Sequence, residues 1–381
     1  MNDQSPIDRS VDDRSHDTLV GTLVDSAEVI VCCGSGGVGK TTTAAVLGIE
    51  AARRGRRVVV VTIDPARRLA DALGLEAGLS GDPQLITLPE PSTGELWAMM
   101  LDTPAMFDKV VRANAANEEQ ADRIVQNRFY RNMADALSGT QEFMASEALH
   151  ELHGDERFDL VIVDTPPSRN ALDFLDAPGV LTRFLDHKAF KLLMLPTRTG
   201  LKVLSVATQP LLKAIGRVVG SEVLADTVAF FQSFAGMDSG FRDRAEAVEH
   251  LLREDTTKFV LVASPQHDTV VEAVWFAEQL VAHQFVVSAA VVNRVQPHFG
   301  DGTVGDAASR SASATDRGDG AVAALWANLA ELRTIAAAHR AELAPLRAAI
   351  GAEAVVEVPQ LATDVHDLEA LEAIAKHLFA R

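Results

Sequence analysis

A chain of 381 residues, 47% of them hydrophobic, is long enough to bury a large core and fits roughly two domains, or one α/β domain carrying an insertion. Its formal net charge of -18 argues against the broad basic face of a protein that binds the nucleic-acid backbone. The two cysteines, Cys32 and Cys33, are adjacent, which rules out a disulfide framework and a CxxC metal clip and fits a reducing compartment.

In chain order, residues 1–20 are polar, have no apolar signal-peptide segment, and read as a disordered leader before a folded unit at 21–381. No uncharged apolar run reaches the about 18 residues that a membrane helix needs, so the expected setting is the cytoplasm, at most peripheral to the inner membrane. Strand-like apolar runs follow at Glu28–Cys33, Val58–Ile63, Leu96–Leu101, Leu160–Asp164, Phe259–Ser264 and Val286–Asn293. Several are apolar on both faces, as buried parallel strands are. Their alternation with helical stretches predicts an α/β fold with a mostly parallel, doubly wound sheet. Helical excess at 103–154 and 178–255 predicts insertions that form a helical subdomain. The small, polar stretch from Gly300 to Gly320 predicts a mobile loop.

The first strand runs into VCCGSGGVGKTTTA, Val31 to Ala44. Gly34, Gly36 and Gly39 satisfy GxGxxG, the dinucleotide fingerprint, and Asp64 ends the second strand where a ribose-binding carboxylate would sit. Gly34, Gly39, Lys40 and Thr41 also satisfy GxxxxGK[ST], a phosphate loop. A dinucleotide site has no need of Lys40 and Thr41. A phosphate loop needs the ammonium on the terminal phosphates and the hydroxyl on Mg²⁺, so the motif favours the phosphate loop. Gly34, Ser35, Gly36, Gly37, Val38, Gly39, Lys40, Thr41 and Thr42 are the expected cradle, where backbone N–H groups converge at a helix N-terminus.

Two acids follow. Asp64, in TIDPARRLADALG, is placed to orient water for attack on a γ-phosphate and to reach the magnesium shell. It also suits the cap of the next helix, with Pro65 at the first helical position. Asp164 ends the apolar run LVIVD at a strand's carboxyl end, the usual place for a magnesium-linked acid, and Thr165-Pro166-Pro167 makes a stiff turn after it. Asn293 in VVNRV suits a strand-end cap or a base contact. Asn293-Arg294-Val295-Gln296 lacks the acid of the guanine-reading NKxD pattern, which favours ATP over GTP.

GSGGVGKTTTA, TIDPARRLADALG, VVDTPPSRNALDFL, VVNRV and VPQL together resemble the arsenite-pump ATPase family, which also contains the cytosolic targeting factor for tail-anchored membrane proteins. TQEFMASEAL and DTPPSRNALDFLDAPGVL are most similar to its bacterial branch of anion-transporting ATPases. The resemblance implies an NTPase of the deviant phosphate-loop (SIMIBI) class that binds ATP/ADP with Mg²⁺ and works as a nucleotide-sandwiched dimer. It further implies a first switch around Asp64, a second around Asp164, and adenine contacts from Asn293 and the loop at Pro359. Lys40 and Asp64 would be catalytic, and Thr41, Asp64 and Asp164 would serve the metal.

Departures from that pattern qualify it. With its only thiols adjacent on a strand, the chain has neither an arsenite thiol site nor a zinc clip. Ser35 stands where the family carries a lysine that reaches across the dimer to the partner's phosphates. A homodimer would then hydrolyse slowly, and a heterodimer with a lysine-bearing paralogous ATPase is the expected working form. Alternatively, Arg67 or Arg68 supplies the missing charge. From His187 to Ser221 there are six lysines and arginines and no acid, so residues 187–235 suit a hydrophobic or membrane-associated client as well as an ordinary helical core. The C-terminal DVHDLEALEAIAKHLFA sets Leu368, Leu371, Ala375 and Leu378 on one face, to pack on the sheet. Three functions stay open: an ATPase that passes a client onward, a weakly hydrolysing regulatory subunit, and a membrane-surface partitioning ATPase.

Overall fold

The computed structural model describes residues 18–64, 67–89, 92–128, 130–131, 140–167, 171–177, 179, 230, 233, 237–363, 365 and 367–379. Eight strands appear among them: β1 (Val29–Gly34), β2 (Arg57–Thr62), β3 (Gln84–Ile86), β4 (Glu95–Met100), β5 (Leu160–Asp164), β6 (Thr257–Ala263), β7 (Val287–Val295) and β8 (Val355–Pro359). They form one sheet in the order β3-β4-β2-β5-β1-β6-β7-β8. Every pairing is parallel except β3 with β4. The six expected runs are all strands. β3 and β8 are additional, at opposite edges, and both are too short and mixed for an apolar run to reveal them.

Strand periodicity explains the two-layer core. Val29, Val31 and Cys33 face one side of β1, in a cluster with Val59, Val61, Val161 and Val163. Ile30 and Cys32 face the other, with Val58, Val60, Leu160 and Ile162. The adjacent cysteines therefore point into opposite layers, both wholly buried. Each such aliphatic side chain contributes roughly 1.5–3 kcal/mol by leaving water.

Helices cover both faces. On the Ile30 side lie α1 (Leu19–Ser26) and α2 (Lys40–Arg53), with α3 (Arg68–Ala72) beside them. The Val31 side takes α4 (Thr103–Asn114), α5 (Glu118–Val125), α6 (Thr140–His153), α7 (Asp238–Arg253) and α8 (His267–Ala282). α9 (Val304–Asp316), α10 (Gly320–Glu342) and α11 (Ala344–Ile350) then lead to β8, and α12 (Leu368–Leu378) ends the described chain. No described helix is long and apolar enough to cross a membrane.

Three expectations change. The leader was expected to extend to residue 20, but Thr18 caps α1 by accepting from the Gly21 amide at 3.1 Å, and Val20, Leu23 and Val24 are buried. Residues 1–17 lie outside the described residues. The stretch 300–320, expected as a mobile loop, holds all of α9. Thr303 and Asp306 form a reciprocal capping box that starts the helix. The small side chains Ala307 and Ala314 are fully buried, and the Ser311 hydroxyl donates to the Ala323 carbonyl at 2.8 Å, so α9 and α10 approach closely. Asp64 does not cap the following helix, because α3 begins at Arg68 and Arg67 occupies its cap position. The basic apolar stretch His187–Ser221, and the 187–235 client region apart from residues 230 and 233, lie outside the described residues.

α12 packs as its pattern requires. Leu371, Ile374, Ala375 and Leu378 are buried against the Ile30-side layer and Leu368 is partly so. Asp367 caps its start by accepting from the Ala370 amide at 2.8 Å.

Candidate functional site

With β5, β2, β4 and β3 on one side of β1 and β6, β7 and β8 on the other, the winding reverses at β1. In an open α/β sheet such a point leaves a crevice at the strands' carboxyl ends. The glycine loop sits there, between β1 and α2. Gly34 has to be glycine, because a β-carbon would lie 2.0 Å from the Val262 carbonyl oxygen of the paired strand β6. Gly39 has φ +103°, and a β-carbon there would lie 2.4 Å from the Asn293 side-chain amide. α2 has no side-chain cap and no acid in its first turn, which leaves the helix's opening N–H groups directed at an anion.

Lys40 folds back over the loop, its Nζ donating to the carbonyls of Gly34 at 3.0 Å and Ser35 at 2.9 Å. Burial lowers its pKa, and Asp164 opposes that shift. Asp164 is matched in register to Cys32 of β1 and Thr62 of β2. Its Oδ2 accepts from the hydroxyls of Thr41 at 2.7 Å and Thr62 at 2.9 Å. Its Oδ1 is buried without a hydrogen-bond partner. Burial pushes the carboxyl up to about 6, against the two hydroxyls and Lys40, which pull it down.

A cavity of about 320 Å³ opens over this loop. Gly37, Gly39, Lys40, Thr41 and Thr42 line it, together with Asp64, Arg68, Thr165, Arg294 and Val365. Arg68 Nη1 pairs with Asp64 Oδ2 at 3.0 Å. Arg67 instead donates to the Glu76 carbonyl at 2.6 Å, so of the two arginines only Arg68 lines the cavity. The Asn293 amide donates to the Val38 carbonyl at 3.1 Å. Pro359 is paired with Val295 at the end of β8; from that edge it is Val365 that lines the cavity.

Ser35 is buried, and its hydroxyl donates to Glu272 Oε2 of α8 at 2.7 Å. Sequence reasoning had no means of finding Glu272, which lies 237 residues further along the chain. Arg294 was also missed. Its Nη1 donates to the Gly37 carbonyl at 3.3 Å, and the one available signal was its place next to Asn293.

The site's oxygen donors suit Mg²⁺. It is a hard cation that prefers carboxylate, hydroxyl and water oxygen, and Asp164 Oδ1 is a buried, unpartnered acceptor beside the Thr41 hydroxyl.

A family model described as anion-transporting ATPase matches residues 27–308. "ATPase get3" of Schizosaccharomyces japonicus is 28% identical over 287 residues, 74% of this chain and 80% of the relative. "ATPase get3" of Schizosaccharomyces pombe is 28% identical over 291 residues, 74% and 79% of the two chains. "ATPase ASNA1 homolog" of Entamoeba dispar is 25% identical over 270 residues, 69% and 75%.

Proposed function

The chain belongs to the anion-transporting ATPase family, and from that premise we propose that the cavity above the glycine loop binds and hydrolyses MgATP, and that its nucleotide state governs a dimer that handles a hydrophobic or membrane-associated client. The observation that carries the reading is the arrangement of Lys40, Thr41 and Asp164 around an uncapped helix start: an ammonium held on loop carbonyls, a hydroxyl, and a carboxylate with one unpartnered oxygen.

On this reading the loop amides from Gly34 to Thr42 cradle the phosphates. Lys40 exchanges its two carbonyl partners for phosphate oxygens, which restores a full charge partner to a desolvated ammonium. Thr41, Asp64 and Asp164 would hold the Mg²⁺, which would supply charge neutralisation for the phosphate oxygens. Asp64 orients the attacking water, and its carboxylate is itself held by Arg68. Thr165, joined to β1 through its hydroxyl bond to the Cys32 carbonyl at 2.8 Å, sets the start of the second switch. Asn293 and the turn at Pro359 take the adenine. The client surface is assigned to residues 187–235.

Ser35 favours a second reading, a weakly hydrolysing regulatory subunit paired with a lysine-bearing paralogue. Its hydroxyl is committed to Glu272 and brings no charge. A cation supplied across an interface can be worth about 10³–10⁵ in rate, whereas a neutral hydrogen bond contributes about 1 kcal/mol. Single-turnover ATP hydrolysis by wild type and Ser35→Lys separates the readings. Faster turnover in the variant supports the regulatory subunit, and equal, fast turnover leaves the self-sufficient ATPase. A protein with no magnesium-dependent ATP turnover in either form contradicts the ATPase assignment of this cavity.

A further inference from the structure

The strand that carries Asp64 runs out of ladder one residue before the acid. β2 pairs with β5 in parallel, with Thr62 opposite Asp164. The Ile63 N–H continues that ladder and donates to the Asp164 carbonyl at 3.1 Å. In a parallel ladder the carbonyl of the same residue turns to the amide two places further along the partner strand. That place is Pro166, which has no N–H to give. The ladder therefore ends at the Ile63 carbonyl. Ile63 is only 2% exposed, so this main-chain acceptor needs a partner from elsewhere.

A side chain of the helical layer takes that place. Gln141, in the first turn of α6, donates from Nε2 to the Ile63 carbonyl at 2.8 Å. Phe143, Met144 and Ala145 of the same helix share an apolar cluster with Ile63 and Val163, but apolar packing is non-directional and does not aim a carbonyl. The hydrogen bond does. The Ile63 carbonyl and the Asp64 nitrogen belong to one planar peptide unit, so the bond that fixes the carbonyl also fixes the plane from which Asp64 departs. We propose that Gln141 is a positioning residue for the hydrolysis step: by replacing the ladder donor that Pro166 lacks, its amide sets the Ile63–Asp64 peptide and through it the placement of the Asp64 carboxylate in the cavity. The inference rests on the ATPase reading, in which Asp64 orients the attacking water, and adds to it a residue outside the cavity lining. Loss of the bond should act on turnover more than on nucleotide affinity, because Lys40, Thr41 and Asp164 keep their places. A misplacement of about 1 Å can cost about 100-fold in rate.

The test measures single-turnover ATP hydrolysis, and MgATP affinity by calorimetry, for wild type, Gln141→Met, Gln141→Asn, Asp64→Asn and the double variant Asp64→Asn with Gln141→Met. Methionine fills nearly the same space without a donor, and asparagine keeps the amide one methylene too short. Both single variants at Gln141 should lower the hydrolysis rate by about 10- to 100-fold while MgATP affinity changes by less than about threefold. In the Asp64→Asn background the added Gln141→Met should cost less than about twofold, because the group it positions is already gone. An unchanged rate in Gln141→Met, full activity in Gln141→Asn, a rate loss matched by an equal loss of MgATP affinity, or the same loss with and without Asp64 would overturn the inference. Wild-type protein that binds MgATP without hydrolysing it would instead remove the ATPase reading itself, and the inference with it.

Discussion

Asp164 is a buried acid with one oxygen that has no hydrogen-bond partner. It is 1% exposed, and its carboxyl is pushed from 3.8 up to about 6 by burial. Because the folded value is raised above the unfolded one, the associated stability is fully present below pH 3.8 and is lost as pH rises through about 6. Ionised Asp164 then costs the ligand-free protein about 3 kcal/mol. Urea unfolding of wild type and Asp164→Asn, both ligand-free, should show a stability difference that moves toward the variant between pH 4.5 and 7 and then levels; a difference independent of pH would contradict this. Gly39→Ala tests the loop's geometry. A methyl group 2.4 Å from the Asn293 amide at φ +103° should cost about 1–3 kcal/mol and weaken MgATP binding, both measurable on one sample. Much at this scale was legible in the sequence: Lys40, Thr41 and Asp164 converge as their motifs require. The bonds from Ser35 to Glu272 and from Arg294 to Gly37 were not, because they join residues 237 and 257 positions apart and no local pattern encodes such meetings.

At the scale of elements, the central strands were readable because continuous burial on two faces leaves long apolar runs in β1, β2, β5 and β6. β3, with three residues, and β8, half-buried at the opposite edge, leave no comparable trace. The stretch 300–320 departs from its loop expectation for a different reason: Gly, Ser, Ala and Asp look like a loop composition, yet Ala is the strongest helix former and its small size permits a close helix seam. The start of α9 depends on one reciprocal cap. Thr303→Ala should lower helix stability by about 1 kcal/mol and speed amide exchange across Val304–Asp316, without altering exchange in β1 or α2. Equal exchange in wild type and variant would show that tertiary packing alone holds α9. For α12 the packed face is the stabilising feature, so Leu371→Ala should cost about 2–5 kcal/mol in chemical unfolding. A cost below about 1 kcal/mol would place α12 outside the cooperative core.

For the whole molecule, the sheet order joins these pieces. Reversal of the winding at β1 sets Asp64 and Asp164 on one side of the glycine loop and Asn293 and Arg294 on the other. The family supplies the ATPase chemistry. The Ser35 hydroxyl donates to Glu272, and Ser35→Lys tests the proposed regulatory-subunit reading. The central claim is that the loop from Gly34 to Thr42 encloses the triphosphate of a purine nucleotide. Its most direct test is calorimetric titration of ligand-free wild type and Lys40→Ala with ATP, with and without Mg²⁺. The account predicts saturable, magnesium-dependent binding at one site per chain in wild type and loss of that binding in the variant. Binding of equal strength in both proteins, or no binding by folded, nucleotide-free wild type, would contradict it.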